Sequence, residues 1–246
     1  KPVWSMVSIG VPEKIWKTDF VEKFYDGYMR LAKKFDVELV GGDVSKTPDK
    51  IVIDSIAAGE VKKGKAILRS GAKVGDLIFV TNEIGGAAAG LKLLQNGILY
   101  NDTVKIWEKN LLLKQLCPFP QSGIFREFSQ FANAMIDISD GLSSDLAQIC
   151  RLSKVGAKIF AEKIPIDKNI RGLTKSFEDK LDFALNGGED FELLFTVPAK
   201  KKFQLKKLHE KRGISCIGEI TANAEIIELI VDGKAQILEP KGFRHF

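Results

Sequence analysis

Histidine is nearly absent: the 246 residues contain two, His209 and His245. Zinc hydrolases draw several ligands from histidine and a Ser-His-Asp triad needs one in place, so both explain this chain poorly. Cysteine is scarce too. Cys117, Cys150 and Cys216 are odd in number and far apart, which fits neither a disulfide framework nor a CxxC metal site and points to a reducing cytoplasm. No apolar run approaches the ~20 residues needed to span a bilayer. The opening Lys1-Pro2-Val3-Trp4 has no apolar core or cleavage site of a signal peptide. It also lacks an initiating Met and turns apolar by its third residue, where natural termini are usually polar. This start reads as a domain interior, with further residues expected ahead of Lys1. Walker A and GxGxxG loops are missing as well.

What is present is ordinary globular material. Hydrophobic residues make up 45% and charged residues 28%, which excludes disorder as the default. The length suits one large domain or two small ones. The net charge of +5 is partly local, in Lys200, Lys201, Lys202, Lys206, Lys207, Lys211 and Arg212. No aromatic residues interleave for base stacking, and Phe203, Leu205 and Leu208 supply an apolar side. A solvated helix face is therefore preferred to a nucleic-acid patch.

Strands and helices alternate along the chain, giving a mixed α/β class. Residues 3–11 read as a buried strand. Residues 19–34 read as a helix, with Thr18 as N-cap and Phe20, Phe24, Tyr28 and Leu31 on one face. A short strand over 37–40 is stopped by Gly41-Gly42, and another covers 50–58. Residues 69–76 form a glycine-containing loop. A strand over 77–81, a loop over 82–86 and a helix over 87–95 follow, closed by Asn96-Gly97. A second strand–loop–helix unit spans 134–152. Further strands lie at 158–160, 191–197, 214–217 and 226–231, with a helix over 200–212. Asp232-Gly233 makes a hairpin turn into 235–238. The break before Arg69 divides the chain into residues 1–68 and 69–246.

Four places carry chemistry. In Ala134-Met-Ile-Asp137-Ile-Ser139-Asp140-Gly-Leu-Ser-Ser-Asp145 an apolar strand runs into clustered acids and then a helix. If the strand persists through Ser139, Asp137 and Ser139 share a face. Crowded carboxylates repel, and a hard cation such as magnesium, bridging to phosphate, resolves the repulsion. The competing reading makes Asp140 and Asp145 simple helix caps and Asp137 an edge residue. In Leu39-Val-Gly-Gly42-Asp43, glycines that let a ligand approach the backbone precede an acid, or a plain turn ends a strand. Asn186-Gly-Gly-Glu189-Asp190-Phe-Glu192 repeats the pattern, with Glu189 as a substrate contact or the whole as a turn with solvated acids. The loop 82–86 could offer a helix N-terminus to phosphate, although close packing explains its small residues better.

The strings LVGGD, RSGAKVGD, IDISDGLSSDL, NGGEDFELLFTVP and KGFRHF resemble the thiamine-monophosphate kinase family, over nearly the whole chain. That family lies in the superfamily of aminoimidazole ribonucleotide synthetase and selenophosphate synthetase. The resemblance implies the superfamily's two-part fold, with an incomplete N-terminal half and an ATP- and metal-binding first domain. It implies direct transfer of the ATP γ-phosphate to thiamine monophosphate, without a covalent nucleophile. Phosphoryl transfer of this kind works mostly by positioning and charge neutralisation. The alternative is a related ATP-using enzyme acting on another small substrate. Carried onto this sequence, the resemblance makes Asp43, Asp137 and Asp140 magnesium ligands. It assigns ATP to Gly42, Arg69, Ser139 and Tyr25, and the thiamine substrate to Glu189 and Phe243. It further implies several magnesium ions, a potassium requirement left open, and a homodimer in the cytoplasm, with no membrane or nucleic-acid partner. Three departures stand out. Val44 replaces a family threonine, Gly86 replaces a family acid, and the family's acidic N-terminal loop has no counterpart here, which leaves the activity of this chain by itself open.

Overall fold

The computed structural model describes residues 1–121, 123, 127, 129–204 and 213–242. The chain divides into two compact units, Lys1–Ala66 and Ile67–Phe246. Both mix helices with sheet, as the alternation of patterns predicts.

In the first unit the run PVWSMVSIGV forms strand β1, Pro2–Val11. A single turn, α1 (Glu13–Trp16), and helix α2 (Phe20–Lys34) lead to β2 (Glu38–Lys46), and β3 (Val52–Gly59) follows. The sheet order is β2-β1-β3, with β2 parallel and β3 antiparallel to β1. A parallel pair needs a crossover, and α2 provides it. Near its start the Thr18 hydroxyl accepts from the Phe20 N–H at 3.2 Å. Leu31, expected on the apolar face with Phe24 and Tyr28, is exposed instead. The Tyr28 hydroxyl lies 3.3 Å from Ser55 Oγ, and Ser55 stands opposite Val7 in the ladder. Residues paired in this way share a face, so α2 lies over the face of Val7, Ile9 and Val11, all buried. Trp4, Met6, Val52 and Ile56 belong to the opposite face and are exposed.

Strand β2 does not stop at the glycine pair. It runs through Gly41 and Gly42 to Lys46, with Gly42 opposite Val7 and Asp43 opposite Ser8. Gly42 has φ +152°, and a Cβ there would stand 1.8 Å from the Val7 carbonyl oxygen. The missing side chain lets two backbones touch, so here glycine continues a strand.

The second unit holds a seven-stranded sheet ordered β10-β9-β6-β8-β4-β7-β5. Its strands are β4 (Asp76–Thr81), β5 (Ala134–Ile138), β6 (Gly156–Phe160), β7 (Glu192–Pro198), β8 (Ile214–Thr221), β9 (Ile227–Val231) and β10 (Lys234–Ile237). The β6–β9 pair is parallel and the other pairs are antiparallel. Among the described residues it is accompanied by helices α3 (Gly86–Gln95), α4 (Ile106–Leu116), α5 (Leu142–Ser153) and α6 (Phe177–Asn186). The residues of α4 and α6 carried no helix expectation.

Strand alternation splits the apolar residues between two layers. Ile78, Val80, Ile136, Ile138 and Leu194 join Leu142, Leu146 and Ile149 of α5 in the main core. Phe79, Met135, Phe195, Val197 and Ile214 form the second cluster. There Phe79 and Phe195 stack with centroids 5.5 Å apart, worth about 0.5–1.5 kcal/mol beyond area burial. Leu93 of α3 packs with Leu111 and Leu112 of α4 in a third cluster. Because β4 and β5 run opposite to β7, the ends of β4 and β5 meet the start of β7 at one edge of the sheet. Residues 82–85, 139–141 and 187–191 all emerge at that edge.

Candidate metal and substrate site

Strand β5 ends at Ile138, so Ser139 lies in a turn and does not share a strand face with Asp137. The reason is a competing partner for the backbone. The Ser139 and Asp140 N–H groups both donate to Asp145 Oδ2, each at 3.1 Å. Helix α5 begins just beyond, after Gly141 with φ +104°. Asp145 is therefore a staple across the turn, and no side chain caps α5 at Gly141. It is 2% exposed. Burial pushes its pKa from the ordinary 3.8 to about 6; the two N–H donors partly offset this, while the charges of Asp140 and Asp137 add to it. Among the described residues no hydrogen bond or ion pair reaches the carboxylate of Asp137 or Asp140. Both residues are half-buried. The turn thus gathers negative charge without compensation.

Segment 186–192 docks onto this turn through its backbone. The Glu189 N–H donates to the Ser139 carbonyl at 2.9 Å, and the Phe191 N–H to the Ile138 carbonyl at 2.8 Å. Gly188 permits the approach, since a Cβ there would lie 2.6 Å from the Ser139 oxygen. Glu189 and Phe191 take φ values of +67° and +51°, a left-handed conformation that costs roughly 1 kcal/mol or more per non-glycine residue. The kinked backbone leaves Glu189 exposed, where its carboxylate accepts from Gln115 Nε2 of α4. Ser139, Asp137, Asp140 and Glu189 are in this way brought to one place.

The neighbouring acids behave differently from solvated turn residues. Asp190 and Glu192 are buried. Asp190 accepts from the Gly85 N–H at 2.6 Å and the Ala87 N–H at 3.0 Å. A carboxylate of the protein itself thus occupies the N-terminus of α3, which removes the loop 82–86 as a phosphate cradle. Burial raises Asp190 to about 6, despite those two donors and the Lys114 charge. Glu192 accepts from Thr81 Oγ1 at 2.6 Å and Asn82 Nδ2 at 2.9 Å, and lies 3.8 Å from Lys114 Nζ. Burial raises its pKa as well, and the same partners pull it back. A cavity of about 470 Å³ opens here, with Asn82, Lys114, Gln121, Asp167, Asp190 and Glu192 among its lining. Sequence reasoning missed these roles. The available signal was phase: Glu192 lies two residues before Leu194, shares its face and so points to the core side of β7.

The remaining expected residues fall as follows. Arg69 is exposed. Its carbonyl accepts from Ser153 Oγ at 3.3 Å, and the preceding Leu68 carbonyl accepts from the Met135 N–H at 3.1 Å, so its backbone follows the free edge of β5. In the first unit Asp43 is exposed in mid-strand, Gly42 fills the close contact with β1, and Tyr25 is half-buried, edge-on to Phe24 at 5.4 Å. Phe243, and most of the lysine-rich helix expected over 200–212, lie outside the described residues.

Among the described residues, no three His, Cys, Asp or Glu side chains gather closely enough to hold a metal by themselves. Magnesium does not require that. It commonly takes one or two carboxylates and completes its octahedron with water and substrate phosphates. Asp137 and Asp140, uncompensated and half-buried at a sheet edge, fit such an ion.

Residues 1–61 match the N-terminal domain of AIR synthase related proteins and residues 73–230 match their C-terminal domain. The thiamine-monophosphate kinase of Buchnera aphidicola subsp. Acyrthosiphon pisum is 38% identical over the whole chain, which spans 75% of that protein. The crystal structure of thiamine-monophosphate kinase from Stenotrophomonas maltophilia K279a superposes with TM-score 0.85 at 34% identity, covering 96% of this chain and 73% of that one. The structure of AaThiL complexed with AMPPCP and TMP gives TM-score 0.83 at 32% identity, covering 100% and 74%. The fold and site therefore define an AIR synthase related protein. Within that class, the chain belongs to the thiamine-monophosphate kinase family.

Proposed function

We propose that this protein transfers the γ-phosphoryl group of ATP to the phosphate of thiamine monophosphate, giving thiamine diphosphate and ADP. The observation that carries the reading is the Ser139 junction. It ties a turn bearing two uncompensated carboxylates to the segment presenting Glu189. One side of that junction suits a metal–phosphate group and the other a cationic thiamine. The kinase relatives favour this reading over an ATP-using enzyme with another substrate.

Asp137 and Asp140 hold magnesium, which when bound neutralises charge on the phosphates. Asp43 is assigned the same kind of role on the first unit, and several ions are expected in all. Ser139 offers its hydroxyl to ATP, and Arg69 a planar guanidinium suited to phosphate oxygens. Gly42 and Tyr25 are assigned to the nucleotide. Glu189 places a negative charge toward the thiazolium, with Phe243 as an aromatic partner for the same ring system. No protein nucleophile is needed. Asp145 and the backbone bonds at Ser139 hold the turn in shape before substrate arrives, which is how positioning lowers the barrier.

The exposed face of Trp4, Met6, Val52 and Ile56 supports a homodimer, because apolar patches of this kind mark interfaces. The scarcity of cysteine supports the cytoplasm, and no described helix is long and apolar enough to cross a membrane. Incubation of the full-length protein with ATP, magnesium and thiamine monophosphate tests the activity by the appearance of thiamine diphosphate, and added potassium tests the monovalent requirement. Absence of product across those conditions sinks the reading. Light scattering tests the dimer.

A further inference from the structure

The end of the described chain lies against the metal turn. The Gly242 N–H donates to Ser144 Oγ at 3.1 Å, and the Lys241 N–H to Ser143 Oγ at 3.4 Å. Ser143 in turn donates to Asn186 Oδ1 at 2.8 Å, so its hydroxyl is used both ways. Gly242 is buried. A Cβ on it would stand 2.0 Å from the Asp140 carbonyl oxygen and 2.5 Å from Ser144 Oγ. The backbone of Asp140 is therefore confined on both sides. Its N–H is held by Asp145, and its carbonyl is covered by the backbone of the tail. The side chain between those two restraints is the uncompensated carboxylate.

We propose that Gly242 and Ser144 are positioning residues. The C-terminal tail, fastened by the Ser144 hydroxyl and admitted by the absent Cβ of Gly242, fixes the Asp140 backbone and so aims its carboxylate at the cation. This rests on the metal assignment made under the proposed function. Neither residue touches the metal or substrate in this account. They act through Asp140, as groups behind metal ligands commonly do.

The test is calorimetric titration of magnesium–AMPPCP into the wild type, Gly242→Ala, Ser144→Ala and Ser144→Thr, with melting curves for each. Removing such support typically weakens metal binding at least about tenfold. We expect that loss in Gly242→Ala, a smaller one in Ser144→Ala, and recovery in Ser144→Thr, which keeps the hydroxyl. Melting temperatures of the two serine variants should agree. Coupling is reciprocal, so magnesium–AMPPCP should also slow hydrogen exchange at the Gly242 amide of the wild type. Equal binding by the wild type, Gly242→Ala and Ser144→Ala overturns the proposal, as does unchanged exchange at Gly242. If Gly242→Ala fails to fold, the serine pair decides: equal binding by Ser144→Ala and Ser144→Thr overturns it. A wild type that binds no magnesium–nucleotide overturns the kinase reading itself, and this inference with it.

Discussion

Asp145→Asn isolates the charge stored under the Ser139–Asp140 turn. In the wild type the folded-state pKa of Asp145 is raised from 3.8 to about 6. A raised carboxyl pKa means that the folded state binds a proton the unfolded state has released. The resulting stability is fully present below pH 4 and is lost as pH rises through 6. The displacement corresponds to about 3 kcal/mol. Asparagine keeps an oxygen facing the Ser139 and Asp140 N–H groups and cannot ionise. The stability of wild type relative to Asp145→Asn should therefore fall by about 3 kcal/mol between pH 4 and pH 7, or roughly 6–12 °C in melting temperature. Thermal melts of both proteins across that range give the difference directly. Magnesium adds a control. The causes behind the raised pKa include the Asp140 and Asp137 charges, and a cation held by those groups would shield Asp145. Saturating magnesium should flatten the wild-type slope and leave the variant unchanged. Parallel pH profiles for the two proteins would refute the account of Asp145 as a buried, strained charge.

Other outcomes follow from the same geometry. Asp137→Asn should leave the fold intact while lowering magnesium-dependent turnover at least ~100-fold, as expected when a charged group at the transition state is lost; a coupled ADP assay with unchanged rate and metal dependence would remove Asp137 from the site. Asp190→Ala strands the Gly85 and Ala87 N–H groups in a buried setting, at about 1–3 kcal/mol each, so denaturant titration should show a loss of about 2–5 kcal/mol. Gly42→Ala forces a methyl onto the Val7 carbonyl, 1.8 Å from where its Cβ would stand. A cost of about 1–3 kcal/mol is expected, read as faster hydrogen exchange along β1 and β2.

Much of the fold was legible where periodicity and burial agree. The apolar run VWSMVSIGV announces β1, although only one of its faces is buried, and the Asp232-Gly233 hairpin follows from turn chemistry, with φ values of +49° and +76°. Helices α4 and α6 were illegible for a physical reason. Each spans only about three turns, and each owes its position to tertiary contact. Leu111 and Leu112 of α4 are buried against α3, while Ile106, Leu113 and Leu116 on the same helix stay exposed, so no clean apolar stripe marks it. In α6, Ser176 does cap the start by accepting from the Asp179 N–H at 3.1 Å. That signal sits in a polar stretch that reads equally well as loop.

The site was legible as composition and illegible as geometry. Glycine beside acid at a strand end suggests a backbone open to a ligand. Two such glycines open onto other backbone instead, Gly42 onto Val7 and Gly188 onto Ser139, and Gly242, which has no acid beside it, meets Asp140 in the same way. This changes what the motif means. The glycines bring two main chains within contact distance, and the adjoining acids inherit their directions from that contact. Glu189 is exposed where its own N–H is fixed to Ser139, and Asp190 points inward to the Gly85 and Ala87 N–H groups. Two neighbouring acids of one motif can therefore part ways, Glu189 standing exposed at the turn and Asp190 lying buried. Telling them apart requires knowing which carbonyl each glycine meets, and that carbonyl lies between 35 and 102 residues away along the chain for these three. Substitution of Gly188 should consequently disturb Glu189 and the Asp137–Asp140 turn together, since one backbone contact carries both.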